Sequence, residues 1–94
     1  MVITTQPENY YGTTGSTATF TVAASGDRVT YQWQCSTDDG ETWSNVNGST
    51  STTLNIPIQA SVNGNLYRCI VKDYMGHVAT SQAGRLTVTS SVAT

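Results

Sequence analysis

Basic side chains are scarce in this chain, and that scarcity is its first constraint. Of 94 residues only four are Lys or Arg, against six Asp and Glu, for a formal charge of −2. Nucleic-acid binding needs a dense basic patch that displaces counterions. Arg28, Arg68, Lys72 and Arg85 are scattered along the chain instead, which excludes nucleic acid as a partner. No apolar run approaches the ~20 residues that cross a bilayer, so no membrane insertion is expected. The N-terminus lacks the basic, apolar, small-residue order of a secretion signal, and Met1 is expected to open a module excised from a longer chain. One histidine, His77, leaves a hydroxyl nucleophile without the base and orienting acid it requires. With Cys35 and Cys69 it offers three ligand types but no local Cys-x-x-Cys clustering. No catalytic residue, cofactor or metal site is expected.

What the chain has in plenty is hydroxyl. Ser and Thr supply 27 of its residues and Thr alone 17, a bias that suits half-solvated pleated strands. Two Trp, five Tyr and alternating apolar positions argue against disorder. Short strand signals recur with turn residues between them, and no segment carries a helical period, so the fold class is all-β. Val2-Ile3 ahead of Pro7 reads as an edge strand, continued after a kink by Tyr10-Tyr11. Ala18, Phe20 and Val22 alternate with Thr17, Thr19 and Thr21, so one face is apolar and the other hydroxylated. Val29, Tyr31, Trp33 and Cys35 fall on one face of the next strand, with Thr30, Gln32 and Gln34 on the other. Asp38-Asp39-Gly40 turns the chain into Thr42–Val46, and Asn47-Gly48 and Asn63-Gly64 are further turn signals. Thr52–Ile56 ends at Pro57. Leu66–Asp73 points Tyr67, Cys69 and Val71 inward. Tyr74-Met75-Gly76 is the last hairpin tip, and His77–Thr89 closes the fold with a bulge at Ala83-Gly84. Residues 1–90 form one domain, and 91–94 are a polar tail or linker.

Trp33 on one strand and Tyr67-x-Cys69 on a later one carry the core pattern of an immunoglobulin-like β-sandwich. That predicts two antiparallel sheets of about seven strands in a Greek key. The cysteine that usually pairs with the second one is missing, and Phe20 stands in its place. The predicted core is Phe20, Trp33, Cys35, Trp43, Leu54, Tyr67, Cys69 and Leu86. If Trp33 faces Cys69, then Cys35 is diagonal to it. Diagonal neighbours sit about 7–8 Å apart, beyond the roughly 4.4–6.8 Å that a disulfide spans. Two reduced, buried thiols follow.

Tyr31-Gln32-Trp33-Gln34, Ser36–Trp43, Asn63-Gly64, Tyr67-Arg68-Cys69 and Asp73 before Gly76 together resemble the immunoglobulin-like repeats of bacterial surface proteins, over nearly the whole chain. The resemblance implies a non-catalytic, extracellular, tandem module that spaces or presents its neighbours or serves adhesion. Adjacent domains of the same polypeptide are the implied partners, and the isolated domain is expected to be a monomer. Cys35 and Tyr10-Tyr11 depart from the usual pattern.

Ser36-x-Asp38-x-Gly40-x-Thr42-Trp43 also matches the Asp-box of sialidases. Its physical role is to fold a hairpin, with the aspartate accepting backbone hydrogen bonds, and one such turn cannot supply a glycosidase's separated acids. Asp38, Asp39 and Glu41 offer oxygens to calcium but lack its remaining ligands. Exposed aromatics are what remain for contact with a protein or glycan: Tyr74, Met75 and His77 at the last tip, and Tyr10 and Tyr11. A carbohydrate-binding or linker module of a secreted glycan-active enzyme is the alternative function, with sugar stacking on Trp43 or the tyrosines. Under denaturing, non-reducing conditions both cysteines should react with a thiol reagent in fresh protein; a count of zero would demonstrate a disulfide.

Overall fold

A computed structural model describes residues 2–89; the tail at 91–94 lies outside them. Ten strands form among the described residues: β1 Val2–Thr5, β2 Tyr10–Thr13, β3 Thr17–Thr21, β4 Ala23–Ser25, β5 Thr30–Ser36, β6 Ser44–Asn45, β7 Thr53–Pro57, β8 Leu66–Lys72, β9 Val78–Thr80 and β10 Gly84–Thr89. One 3-10 turn, Ala60–Val62, is the remaining element. The strands build a sandwich-like all-β domain. One layer holds the β1-β4 and β3-β7 ladders, and the other runs β2-β10-β8-β5-β6 with β9 also on β8.

Two predicted ribbons are each broken in two, and Ala23–Ser25 follows the Thr17–Val22 ribbon as a further short strand, so ten short strands trace seven longer ones. The first break moves the chain between layers. Tyr10-Tyr11 does not extend β1; it leaves that sheet and pairs in parallel with β10, Tyr10 opposite Leu86 and Tyr11 opposite Thr87. All other pairings are antiparallel. Pro7, buried at the crossing, has no N–H to give either ladder. Side-chain amides substitute there: Gln6 Oε1 accepts the Gln82 N–H at 2.8 Å and Asn9 Oδ1 accepts the Arg85 N–H at 2.9 Å. The last break falls at 81–83, where Gly84 lets the crossing segment approach. A Cβ on Gly84 would lie 2.6 Å from the Glu8 carbonyl oxygen and 3.1 Å from the Phe20 ring.

Between the layers lie Ala18, Phe20, Val22, Trp33, Leu54, Ile58, Tyr67, Cys69, Val71 and Leu86, all buried. Their alternation follows the strand period of two, as in the out-in pattern of β3. Trp33 stands directly opposite Cys69, and Cys35 opposite Tyr67. Both cysteines are free. Phe20 fills the space beside them, its ring 5.1 Å from Tyr67 and 6.2 Å from Tyr10 between centroids.

Two predicted core residues are not fully buried. Cys35 is half-buried and packs against the core cluster from its edge, opposite Tyr67 on the neighbouring strand. Trp43 is also half-exposed. It follows a tight turn and stacks on the outer side of the sheet instead of entering the space between layers.

Removing the Phe20 ring leaves a cavity that no cross-link can hold shut. Phe20→Ala should cost on the order of 3–5 kcal/mol, read as a shift in the chemical-denaturation midpoint at unchanged slope.

Candidate functional site

The densest side-chain chemistry lies on the hairpin Ser36–Trp43 and the outer face of β5 and β8. The hairpin is held from within. Ser36 is buried, and its Oγ donates to Asp38 Oδ1 at 2.8 Å while accepting the Gly40 N–H at 2.8 Å. Asp38 Oδ1 accepts the Thr42 N–H at 2.9 Å, and its Oδ2 accepts the Thr42 hydroxyl. Asp39 and Gly40 both take positive φ, 63° and 92°, which an Asp tolerates and a Gly prefers. The Trp43 indole N–H then closes the loop on the Gly40 carbonyl at 3.1 Å. Every group of the Asp-box is thus consumed in shaping the turn.

These bonds also set the acidity of Asp38. The Thr42 hydroxyl, then the Thr42 N–H and the Ser36 hydroxyl, stabilise the carboxylate and lower its pKa to about 2. Asp39 is spent differently, in an ion pair with Arg85, whose guanidinium also donates to the Gly64 carbonyl at 2.9 Å. The acidic residues of the tip do not converge on a common point. Among the described residues no three His, Cys, Asp or Glu side chains come together as a metal would require.

Beside the hairpin, Arg68 lies over the Trp43 ring, 4.0 Å from guanidinium carbon to centroid. Its Nε donates to Gln34 Oε1 at 2.9 Å, and Gln34 passes the chain on to Asn45 Oδ1 at 3.0 Å. Sequence reasoning placed Trp43 but missed Arg68, Gln34 and Asn45. The signal was the antiparallel register, which sets Arg68 opposite Gln34 and Gln34 opposite Asn45 on one face. One face of the only aromatic platform on this hairpin is therefore already covered by an arginine. No cavity opens among the described residues.

The predicted contact residues fall into two separate places. Tyr74 and Met75 are exposed at the 73–77 turn. The Tyr74 ring lies 4.8 Å from the Arg28 guanidinium and its N–H donates to the Asp27 carbonyl at 2.9 Å. His77, exposed, meets Asp73 twice, through its N–H to Oδ1 and through Nδ1 against Oδ2, both at 2.9 Å. Tyr10 turns inward onto Phe20 and donates its hydroxyl to the Thr17 carbonyl at 3.2 Å. Tyr11 is exposed on β2 opposite Thr87, beyond the Leu66 end of β8, whereas the 73–77 turn follows its Lys72 end. The two sets occupy opposite ends of the domain.

Thiol chemistry is suppressed at the core. Burial pushes the Cys69 thiol up to about 11 and also raises Cys35, where a hydrogen bond with Tyr67 partly offsets it. The thiolate is the reactive form, so both side chains act as small hydrophobes near neutral pH.

Residues 2–90 match the family model described as a domain of unknown function (DUF8696). The chain belongs to that family. It is also 38% identical over 88 residues to Endoglucanase C of Cellulomonas fimi, a match that covers 93% of this chain and 8% of that protein. The chain therefore spans less than a tenth of the relative it matches.

Folding depresses the Asp38 pKa below its unfolded value of about 3.9, so the stabilisation is complete above that value. It is lost as pH falls toward about 2. An NMR titration of carboxyl carbons should show Asp38 as the most acidic group, and Asp38→Asn should erase this part of the acid-unfolding profile. An Asp38 titrating near 4, the ordinary carboxylate range, would contradict the hairpin bonding.

Proposed function

We propose that this domain is an accessory, non-catalytic linker module of a secreted glycan-active enzyme. The supporting observation is the likeness to a small, near-complete stretch of Endoglucanase C: almost all of this chain aligns with 8% of that protein. A segment so small is the size of one sandwich, and among the described residues no cavity and no converging acids offer a cleft for a glucan chain.

The course of the chain supports linking over binding. Val2 pairs with Ser25 beside the turn that reaches Tyr74, while Thr89 ends β10 beyond the start of β8. Val2 and Thr89 thus lie at opposite ends of the described domain. Domains attached at the two ends are set apart by the length of a sandwich. The exposed Val2, Tyr74, Met75 and Val78 gather toward the entry end, where a preceding domain would rest. An immunoglobulin-like spacer on a bacterial surface, as the resemblance implied, would use the same axial geometry; the likeness to an endoglucanase favours the enzyme-borne setting. An extracellular location follows from that setting.

Sugar stacking through Trp43 is disfavoured by the Arg68 guanidinium on its ring. Pull-down on insoluble cellulose, with Trp fluorescence in the presence of soluble glucans, tests the reading. Retention at the level of an inert control and unchanged emission are expected, with no reducing sugar released. Saturable retention that Trp43→Ala abolishes would reassign the module to glycan binding.

A further inference from the structure

Two Asn-Gly pairs stand in this chain, Asn47-Gly48 and Asn63-Gly64, and the fold treats them in opposite ways. An Asn-Gly bond rearranges when the glycine nitrogen attacks the asparagine side-chain carbonyl. A glycine offers no Cβ to block that approach, so what decides the rate in a folded protein is whether the nitrogen and the side chain are free.

At the second pair neither is free. The Gly64 N–H donates to the Leu86 carbonyl at 2.7 Å, and Asn63 Oδ1 accepts the Val88 N–H at 2.8 Å. The Asn63 N–H is itself held by the Ala60 carbonyl at 3.2 Å. The nucleophile is occupied, and the electrophile is pinned toward a different partner. At the first pair both groups are open. Asn47 and Gly48 are exposed in a turn closed only by the Ser49 N–H on the Val46 carbonyl at 3.2 Å. Among the described residues the Gly48 N–H has no acceptor and the Asn47 amide no partner, and nothing lies within 4 Å of where a Gly48 Cβ would stand.

We propose that Asn47 is a site of spontaneous covalent modification, deamidating and isomerising in the native protein while Asn63 is protected by the fold. The Gly48 nitrogen gives up its proton and bonds to Asn47 Cγ. The side-chain nitrogen departs as ammonia, leaving a five-membered succinimide. Water then adds to one of the two ring carbonyls and opens it to aspartate or to isoaspartate. Water is the sole co-reactant, and one amide nitrogen leaves for one oxygen gained.

The location gives the reaction a structural consequence. The turn lies between two backbone bonds that hold the buried Trp33, Val46 N–H to the Trp33 carbonyl at 2.9 Å and Trp33 N–H to the Ser49 carbonyl at 3.0 Å. Isoaspartate lengthens the main chain by one carbon between those anchors, and either product adds a negative charge to a chain already at −2.

The test is peptide mapping by mass spectrometry, with fragmentation to assign the site, after incubating the purified protein at mildly alkaline pH and body temperature. The native protein should convert at Asn47 several-fold faster than at Asn63, and in strong denaturant the two rates should converge. Equal rates in the native state would overturn the proposal. So would a rate difference that persists in denaturant, because neighbouring sequence and not the fold would then be its cause.

Discussion

Everything in this sandwich is arranged around the burial of one indole without a cross-link beside it. Trp33 has no exposed surface, and its ring N–H finds the Ser51 carbonyl at 2.8 Å. A buried indole N–H without a partner would cost roughly 1–3 kcal/mol, so the loop that supplies the carbonyl is as necessary as the core itself. That loop, residues 46–51, also binds the Trp33 main chain on both sides. Gln32 reinforces it by donating to the Trp33 and Val46 carbonyls at 2.8 and 3.0 Å. The crossover from β6 to β7, which carries the chain from one layer to the other, is thereby fastened to the centre of the domain. In antibody domains a disulfide between the sheets shares this task. Here Phe20, Tyr67 and the loop around Trp33 hold the layers in register by packing and hydrogen bonding alone.

The hairpin beyond β5 is a second, more local unit. Its hydrogen bonds run between residues no more than four apart in sequence, so it can form before the sheets meet. Arg85 on β10 and Arg68 on β8 then dock onto it from the sheet, one on Asp39 and the other on Trp43. An exposed ion pair adds little, and a cation over an indole contributes about 0.5–1 kcal/mol at a surface site. These contacts orient the tip more than they stabilise it. They also engage Asp39 and one face of the Trp43 ring on this polar surface.

Much of this was legible in the order of residues. Alternation from Thr17 to Val22 named the face that Phe20 occupies, and the Tyr67-x-Cys69 pair set against Trp33 foretold the register that the ladder shows. The Asp-box foretold its own turn, since every partner it uses is nearby in sequence. Aromaticity carries no information about which side a residue after a turn will take, so Trp43 lies outside the core that its type suggests, whereas Cys35 packs at the core's edge as its parity requires. The layer change at Pro7 was hidden for a similar reason: the residues that hold it, Gln6 and Asn9, bond to positions 76 residues away.

Composition and period therefore suffice for the fold class, the core strands and the turns, because those depend on interactions between near neighbours and on the simple rule that apolar faces leave water. Contacts between distant parts of the chain obey no such rule. Arg68 on Trp43, Gly84 against Glu8 and the unequal fates of two identical Asn-Gly pairs were settled only when the ladders had formed. Each turns on which backbone or side-chain group a remote segment happens to bring within hydrogen-bonding or van der Waals reach.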